Sequence, residues 1–242
     1  MPIVDDLMVD EYYERYWTKE TFDEHGFANL PPQRHNLEMD KIIGSLKPYV
    51  SGRVLDAGCG DGFVTNALSK LPSVNEIMGL DISETAIRIA QSKYPKLDFK
   101  VGQVTDLPFE SNYFDAVTSV ELIEHIYDVE QMFREFCRVL KLGGYFIATT
   151  TDFNLPKKVM IALLFWDKYF NPTNPHIRFY SKKSLEKCLN KFGFVRVLHK
   201  WNGSYFGIMP KGQIIVAKKV QSANLAIIKN SHLTIKAEPD EE

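Results

Sequence analysis

At 242 residues the chain can bury a sizeable core, and α/β folds of this length are often single domains. Hydrophobic residues at 45% and charged residues at 25% are ordinary globular usage, and a net charge of −2 from 29 basic and 31 acidic residues argues against a generally basic nucleic-acid binder. Three cysteines, Cys59, Cys137 and Cys188, are widely separated without metal-ligand spacing, and Met1–Asp6 is acidic and lacks the form of a signal peptide. A reduced, cytoplasmic protein is the expectation.

In chain order, the first segment is 10–36. It holds Glu11-Tyr12-Tyr13-Glu14-Arg15-Tyr16-Trp17 and then Pro31-Pro32-Gln33-Arg34-His35. Aromatics at this spacing suit a lid helix over a pocket, and equally a helix packed on a sheet edge. A helix is expected near 37–49, then a strand near 53–57.

That strand leads into Val54-Leu-Asp-Ala-Gly-Cys-Gly-Asp-Gly62, with glycines at 58, 60 and 62 and an apolar helical run from Phe63 to Leu71. A buried strand, a tight glycine turn and a helix start follow from this order. Glycine permits positive φ and close approach of a ligand to the backbone, while the helix start offers free N–H groups. The dinucleotide fingerprint G-x-G-x-x-G is the nearest competitor, but here the pattern is G-x-G-x-G and Asp56 precedes it. A carboxylate would not help a pyrophosphate at a helix N-terminus. The stretch resembles motif I of the class I S-adenosylmethionine (SAM)-dependent methyltransferases, whose cofactor carries an amine and a sulfonium instead.

The next strand, near 76–80, ends at Asp81, and Ser83 is placed to cap a helix over 84–93. Asp81 follows Gly62 by 19 residues, the spacing at which an acid accepts from ribose hydroxyls. A strand near 97–101 precedes Gly102-Gln-Val-Thr-Asp-Leu-Pro-Phe109. This loop resembles the adenine-side loop of the type-11-like group that includes the ubiquinone and menaquinone methyltransferases. Those sequences place an Asp where this chain has Gln103, whose carbonyl can accept the same bond without the charge. Asp106 is the fallback. The resemblance implies a cofactor-contacting set of Asp56, Gly58, Cys59, Gly60, Asp81, Ile82, Gln103, Val104 and Val120, with SAM as the cofactor.

After a strand near 114–119 comes Val120-Glu-Leu-Ile-Glu-His-Ile126. Glu121, Glu124 and His125 stand at i, i+3 and i+4, one face of a helical turn. Two carboxylates and an imidazole could supply a general base or bind a divalent ion such as Mg or Mn. The stretch resembles the Glu-x-x-Glu-His element of the ubiquinone-pathway O-methyltransferases. It also resembles the small-RNA 3′-end methyltransferases, in which these residues and a later histidine hold a metal. His176, in His176-Ile-Arg-Phe-Tyr180-Ser181, matches that later histidine. The resemblance thus names His125, Glu121 and His176 as candidate catalytic residues and Glu121, Glu124, His125 and His176 as a candidate metal set. A metal-free reading, in which the Glu-His pair caps the turn or orders the pocket, stays open. Asp152 and Tyr180 are further polar candidates for the pocket rim.

Helices near 129–141 and 181–192 and strands near 143–150, 194–200 and 212–218 complete the pattern, with Gly143-Gly144 read as the C-cap of the first of these helices. Between them lies 152–180, with Lys157-Lys158-Val159-Met160-Ile161-Ala162-Leu163-Leu164-Phe165-Trp166-Asp167-Lys168-Tyr169-Phe170. Its uncharged run over 159–166 is far too short to span a bilayer. A helix docked on the core, a cap over a hydrophobic substrate, and peripheral membrane contact through 157–170 are the three open readings. Lys182, Lys183, Lys187 and Lys191 could form a basic face on one helix, but Glu186 interrupts it. Asn224–Ile235 could add an edge strand, and the last five or so residues are expected to be disordered.

The fold expected is α/β: a Rossmann-like three-layer sandwich with a seven-stranded, mostly parallel sheet whose last strand is antiparallel. The resemblance covers about 37–218 and implies a methyltransferase domain over 37–220. Around it stand an N-terminal lid segment at 1–36, a cap insertion at 152–180 and a tail at 221–242. The leading expectation is methyl transfer to a small hydrophobic or ring-containing acceptor, O-methylation preferred. An RNA methyltransferase of the metal-dependent 3′-end type and a non-catalytic SAM-binding partner subunit are the alternatives.

Overall fold

A computed structural model of the chain describes residues 12–17, 32–170, 176–205 and 209–221. Among these, seven strands form one sheet: β1 (Gly52–Ala57), β2 (Val74–Asp81), β3 (Asp98–Val101), β4 (Phe114–Val120), β5 (Leu140–Thr151), β6 (Phe194–Tyr205) and β7 (Met209–Lys219). Their order is β3-β2-β1-β4-β5-β7-β6. Neighbours from β3 through to β5 pair in parallel, and β7 runs antiparallel to both β5 and β6. The expected Rossmann-like sheet with a reversed last strand is therefore what the chain forms.

The helices are α1 (Pro32–Leu46, continued by a 3-10 turn at Lys47–Tyr49), α2 (Phe63–Ser69), α3 (Glu84–Lys93), α4 (Val129–Val139), α5 (Leu155–Met160), α6 (Trp166–Tyr169) and α7 (Lys182–Lys191). A π-helical turn, Ile161–Phe165, joins α5 to α6. Residues 12–16 form a further short helix.

Alternation along the central strands sorts side chains onto two faces. Leu55, Val117, Phe146, Ile215 and Ala217 point to one, where Phe133, Phe136 and Val139 of α4 and Leu185 and Leu189 of α7 cover them. Val54, Ala116, Ile147, Ile214 and Val216 point to the other, against Ile42, Ile43 and Leu46 of α1 and Val64 and Leu68 of α2. Each fully buried Leu, Ile or Phe contributes about 1.5–3 kcal/mol, and these two cores hold the three layers together.

The expected boundaries shift where long-range pairing extends a strand. Gly143-Gly144 does not cap a helix: α4 ends at Val139, Leu140 already belongs to β5, and Gly143 sits inside that strand at φ 82°. The pairing with β4 skips register between Phe114 and Ala116, and the glycines absorb the resulting bulge. The edge strand expected over Asn224–Ile235 and the disorder expected at the tail fall outside the described residues.

Topology places the site. The chain order reverses between β1 and β4, and the carboxyl ends of β1, β2, β4 and β5 deliver Ala57, Asp81, Val120 and Thr151 to one edge of the sheet. Ligands of open α/β sheets bind at such a switch point.

Candidate functional site

The glycine loop follows β1. Gly58, Gly60 and Gly62 have φ of 73°, 51° and 79°, a region that L side chains resist. The N–H groups of Gly58 and Cys59 donate to Leu80 O at 2.7 and 3.0 Å, fastening the loop to the end of β2. There Asp81 accepts from Gly60 N at 2.9 Å with one oxygen and from Ser83 N at 3.0 Å with the other. Burial pushes the Asp81 carboxyl above its ordinary value, and these backbone donors oppose that push.

Cys59 is buried, and burial also raises its thiol. A Cβ built at Gly79 would lie 2.9 Å from its sulfur, so the Cys59 side chain faces the sheet and only its backbone belongs to the loop surface. Ile82, Gln103 and Val120 are half-buried around this edge, while Val104 is buried. Gln103 accepts a bond from Thr105 Oγ1 at 3.4 Å. Asp106, the fallback for the adenine contact, is exposed.

Asp56 departs from expectation. It is only 1% exposed, with Oδ2 accepting from Thr65 Oγ1 at 2.6 Å and Oδ1 from Thr118 Oγ1 at 2.9 Å. The acid faces inward, joining β1 to α2 and β4, so it shapes the loop from behind rather than meeting a ligand. Burial raises its pKa to about 6, with the two hydroxyl bonds pulling the other way. The period-2 pattern of β1 could not decide this, because the pairing hydroxyls lie in α2 and β4.

The acid-histidine element is also rearranged. Only Ile123–His125 forms a turn, of 3-10 type, and Glu121 stands before it with φ 51°, a strained conformation for a non-glycine residue. Glu121, Glu124 and His125 therefore do not share one helical face. Glu121 is exposed and turns to β5, where Thr149 Oγ1 donates to its Oε1 at 2.8 Å. Glu124 is 1% exposed, and neither carboxylate oxygen has a hydrogen-bond partner among the described residues. Burial first, then Glu121, pushes its carboxyl well up.

Tertiary contact brings His176 to this element. The N–H groups of Ile177 and Arg178 both donate to Glu124 O at 3.0 Å, and the His125 and His176 rings lie 4.8 Å apart edge to face. One ligand atom each from Glu124, His125 and His176 falls within 4.8 Å of the others. Glu121 stands outside that triad. Burial, then Lys157, lowers the His176 pKa, which favours the neutral imidazole that a base or a metal ligand requires.

Asp152 and Tyr180 are not at a rim. Both are buried and form an isolated bridge to each other, and Tyr180 OH donates to Ile123 O at 3.3 Å. Lys157, read from sequence as a flank of the apolar run, is fully buried instead. Its Nζ donates to Lys211 O at 3.2 Å and lies 4.9 Å above the Phe153 ring. Asn154 caps α5, so Lys157 and Ile161 share the inward face at i, i+4; the Asn-Leu-Pro start was the available signal.

The cap itself is not docked on the core along its length. Ile161 is buried, but Leu163, Leu164 and Trp166 are 75%, 72% and 56% exposed. No helix among the described residues is long and apolar enough to cross a membrane. On α7, the lysine face is interrupted by ion pairs: Lys191 with Glu130, and Glu186 with Arg196 at 3.3 Å.

A glycine loop is thus bonded to the acid that ends the next strand, at the switch point of this sheet. Residues 55–148 match the family described as a methyltransferase domain. Over these residues, from β1 to β5, the chain is similar to the class I, type-11 SAM-dependent methyltransferases. A Mycolicibacterium smegmatis protein named "Probable S-adenosylmethionine-dependent methyltransferase" is 30% identical over 142 residues, 58% of this chain and 51% of that protein. The human "Ubiquinone biosynthesis O-methyltransferase, mitochondrial" is 30% identical over 159 residues, 61% of this chain and 42% of that protein. The chain thus spans about half the length of the curated relatives it matches. Among solved structures, the PH0226 protein of Pyrococcus horikoshii aligns with a TM-score of 0.61 at 25% identity, covering 79% of this chain and 94% of that one.

Proposed function

We propose that the methyltransferase domain binds SAM across the glycine loop and transfers its methyl group to a hydroxyl of a small hydrophobic acceptor. The observation that carries this reading is the Gly60–Asp81 hydrogen bond, which sets a backbone cradle and a carboxylate side by side at the switch point. Gly58, Cys59 and Gly60 would line the methionine side, Asp81 and Ile82 the ribose, and Gln103, Val104 and Val120 the adenine side.

The methyl of SAM is electrophilic, so the protein's main task is alignment of the acceptor with the sulfonium. A hydroxyl acceptor must also lose its proton. His125, with Glu121 nearby and His176 against its ring, is the base we assign; it takes the proton as the new C–O bond forms and S-adenosylhomocysteine (SAH) leaves. The Glu-His element, and the name of the human relative, support O-methylation over C- or N-methylation.

A second reading, in which His125 is a ligand and not the base, is supported by the buried carboxylate of Glu124: without a hydrogen-bond partner among the described residues, it fits a divalent cation shared with His125 and His176. Such an ion would supply Lewis acidity to an acceptor oxygen. The exposed apolar residues of the cap support a hydrophobic acceptor. They also support contact with a lipid surface from which such an acceptor could be drawn.

Calorimetry of SAM and SAH binding, with Mg²⁺ or Mn²⁺ and with EDTA, tests the cofactor reading. A panel of hydroxylated aromatic and polyprenyl acceptors then tests the transfer. Micromolar SAH binding with methylation of one acceptor class is expected. Tight SAH binding without turnover on any acceptor would favour a non-catalytic partner subunit, and salt-sensitive RNA binding would favour an RNA substrate.

A further inference from the structure

The short helix 12–16 and Trp17 touch each of the three pieces of the candidate site. The Glu14 carboxylate accepts the backbone N–H of Glu84, and its Oε2 accepts that of Thr85 at 3.2 Å. These are the first two residues of α3, three and four positions beyond the ribose acid Asp81. The next donor, Ala86 N, bonds to Ser83 Oγ at 3.0 Å, and Ser83 N at the cap bonds to Asp81 Oδ1 at 3.0 Å. All four free donors at the start of α3 are thereby satisfied, two of them by a residue about 70 positions away in sequence.

One turn along from Glu14, the Trp17 ring lies on the glycine loop: a Cβ added at Gly60 would meet it at 2.7 Å. On the other side, the Tyr13 ring stands edge-on to His125 at 6.2 Å. The segment thus runs from the ribose end, over the glycine loop, to the acid-histidine element. A cofactor lying between these anchors would be covered by it.

We propose that residues 12–17 are a strap that closes over the bound cofactor, and that Glu14 is the positioning residue that latches it to the first turn of α3 and so governs cofactor release. The inference rests on the SAM reading above. Glu14 touches neither of the reacting centres; it acts by holding Trp17 and Tyr13 in place. Removing its charge leaves the folded core intact, because α3 keeps its Ser83 cap.

The experiment compares the wild type, Glu14→Gln and Trp17→Ala by two readouts. Amide hydrogen exchange on the protein without cofactor reports on the strap itself. Stopped-flow displacement of SAH reports on release. Glu14→Gln is expected to speed exchange at 12–17 and at Glu84–Thr85 and to raise the SAH dissociation rate about tenfold, the worth of about one charge-assisted hydrogen bond, since the amide keeps one acceptor oxygen and loses the other with the charge. Trp17→Ala should raise the release rate while leaving exchange at Glu84–Thr85 unchanged. Both variants should keep the wild-type melting temperature. Unchanged exchange in Glu14→Gln would overturn the latch, and faster exchange with unchanged SAH release would overturn the covering role. Absence of SAH binding by the wild type would overturn the cofactor reading and this role with it, and the exchange data would still show whether Glu14 holds the segment.

Discussion

Gly60 and Asp81 are joined through a 2.9 Å hydrogen bond from the glycine's backbone N–H to the carboxylate, so the loop after β1 and the acid ending β2 are one rigid unit. Asp81 is 21 residues from Gly60 in sequence, yet its other oxygen also holds the chain at Ser83. The carboxylate is therefore preorganised before any ligand arrives.

Asp81→Ala should abolish most SAM and SAH affinity. Two hydrogen bonds from ribose hydroxyls to a carboxylate are worth about 1.5–3 kcal/mol each, so Kd should rise by about a hundredfold or more. Calorimetry checks the affinity and circular dichroism the fold. Wild-type affinity in a folded variant would remove the ribose assignment.

Asp56 predicts a pH dependence of stability. Its folded pKa, about 6, lies above the ordinary 3.8, so the folded chain holds the proton more tightly than the unfolded one. Its stabilising contribution is complete below pH 3.8 and is lost as pH rises through about 6. At about 1.4 kcal/mol per pKa unit, the loss is about 3 kcal/mol. Urea denaturation from pH 4 to 8 should show this decline in the wild type and a flatter profile in Asp56→Asn. Parallel profiles would mean that the buried acid does not titrate in this range.

Glu124→Gln separates stability from ion binding. The carboxylate is buried without a hydrogen-bond partner among the described residues, so a neutral isostere should leave thermal stability equal or higher. The wild type should gain about 2.7 kcal/mol from Mn²⁺ at a hundred times its Kd, and the variant should not. The same absence of response is expected for His176→Ala. A wild type indifferent to divalent ions would leave the metal-free base reading.

The cap offers a contrast between neighbouring positions. Leu163→Ser with Leu164→Ser should change stability by no more than about 0.5 kcal/mol per site, because both side chains are largely in water. Ile161→Ala, two residues earlier and 2% exposed, should cost about 2–5 kcal/mol. The double variant should nevertheless raise KM for a hydrophobic acceptor and reduce co-sedimentation with anionic liposomes. No change in either would remove the cap from acceptor delivery.

Much of this was legible in the residues. The helix expected over 84–93 is observed as Glu84–Lys93, because Ser83 caps it through a contact only three residues long. The glycine loop and Asp81 were visible for the same reason: positive φ and a strand-end acid are local demands. The fate of Gly143-Gly144 was not visible, since pairing with β4 decided whether those glycines ended a helix or bent a strand. Nor was that of Asp56, whose partners Thr65 and Thr118 stand 9 and 62 residues away.

The sequence by itself determined the alternating α/β order, the two-sided hydrophobic strands and the glycine loop after β1, because propensity, periodicity and turn chemistry act over a few residues. Tertiary structure alone decided that His176 meets His125, that Lys157 is buried while Leu163 is not, and that Glu14 caps a helix about 70 residues away. Each of these depends on where two distant backbones come to rest, and that is set by packing of the whole sheet rather than by any local stretch of the chain.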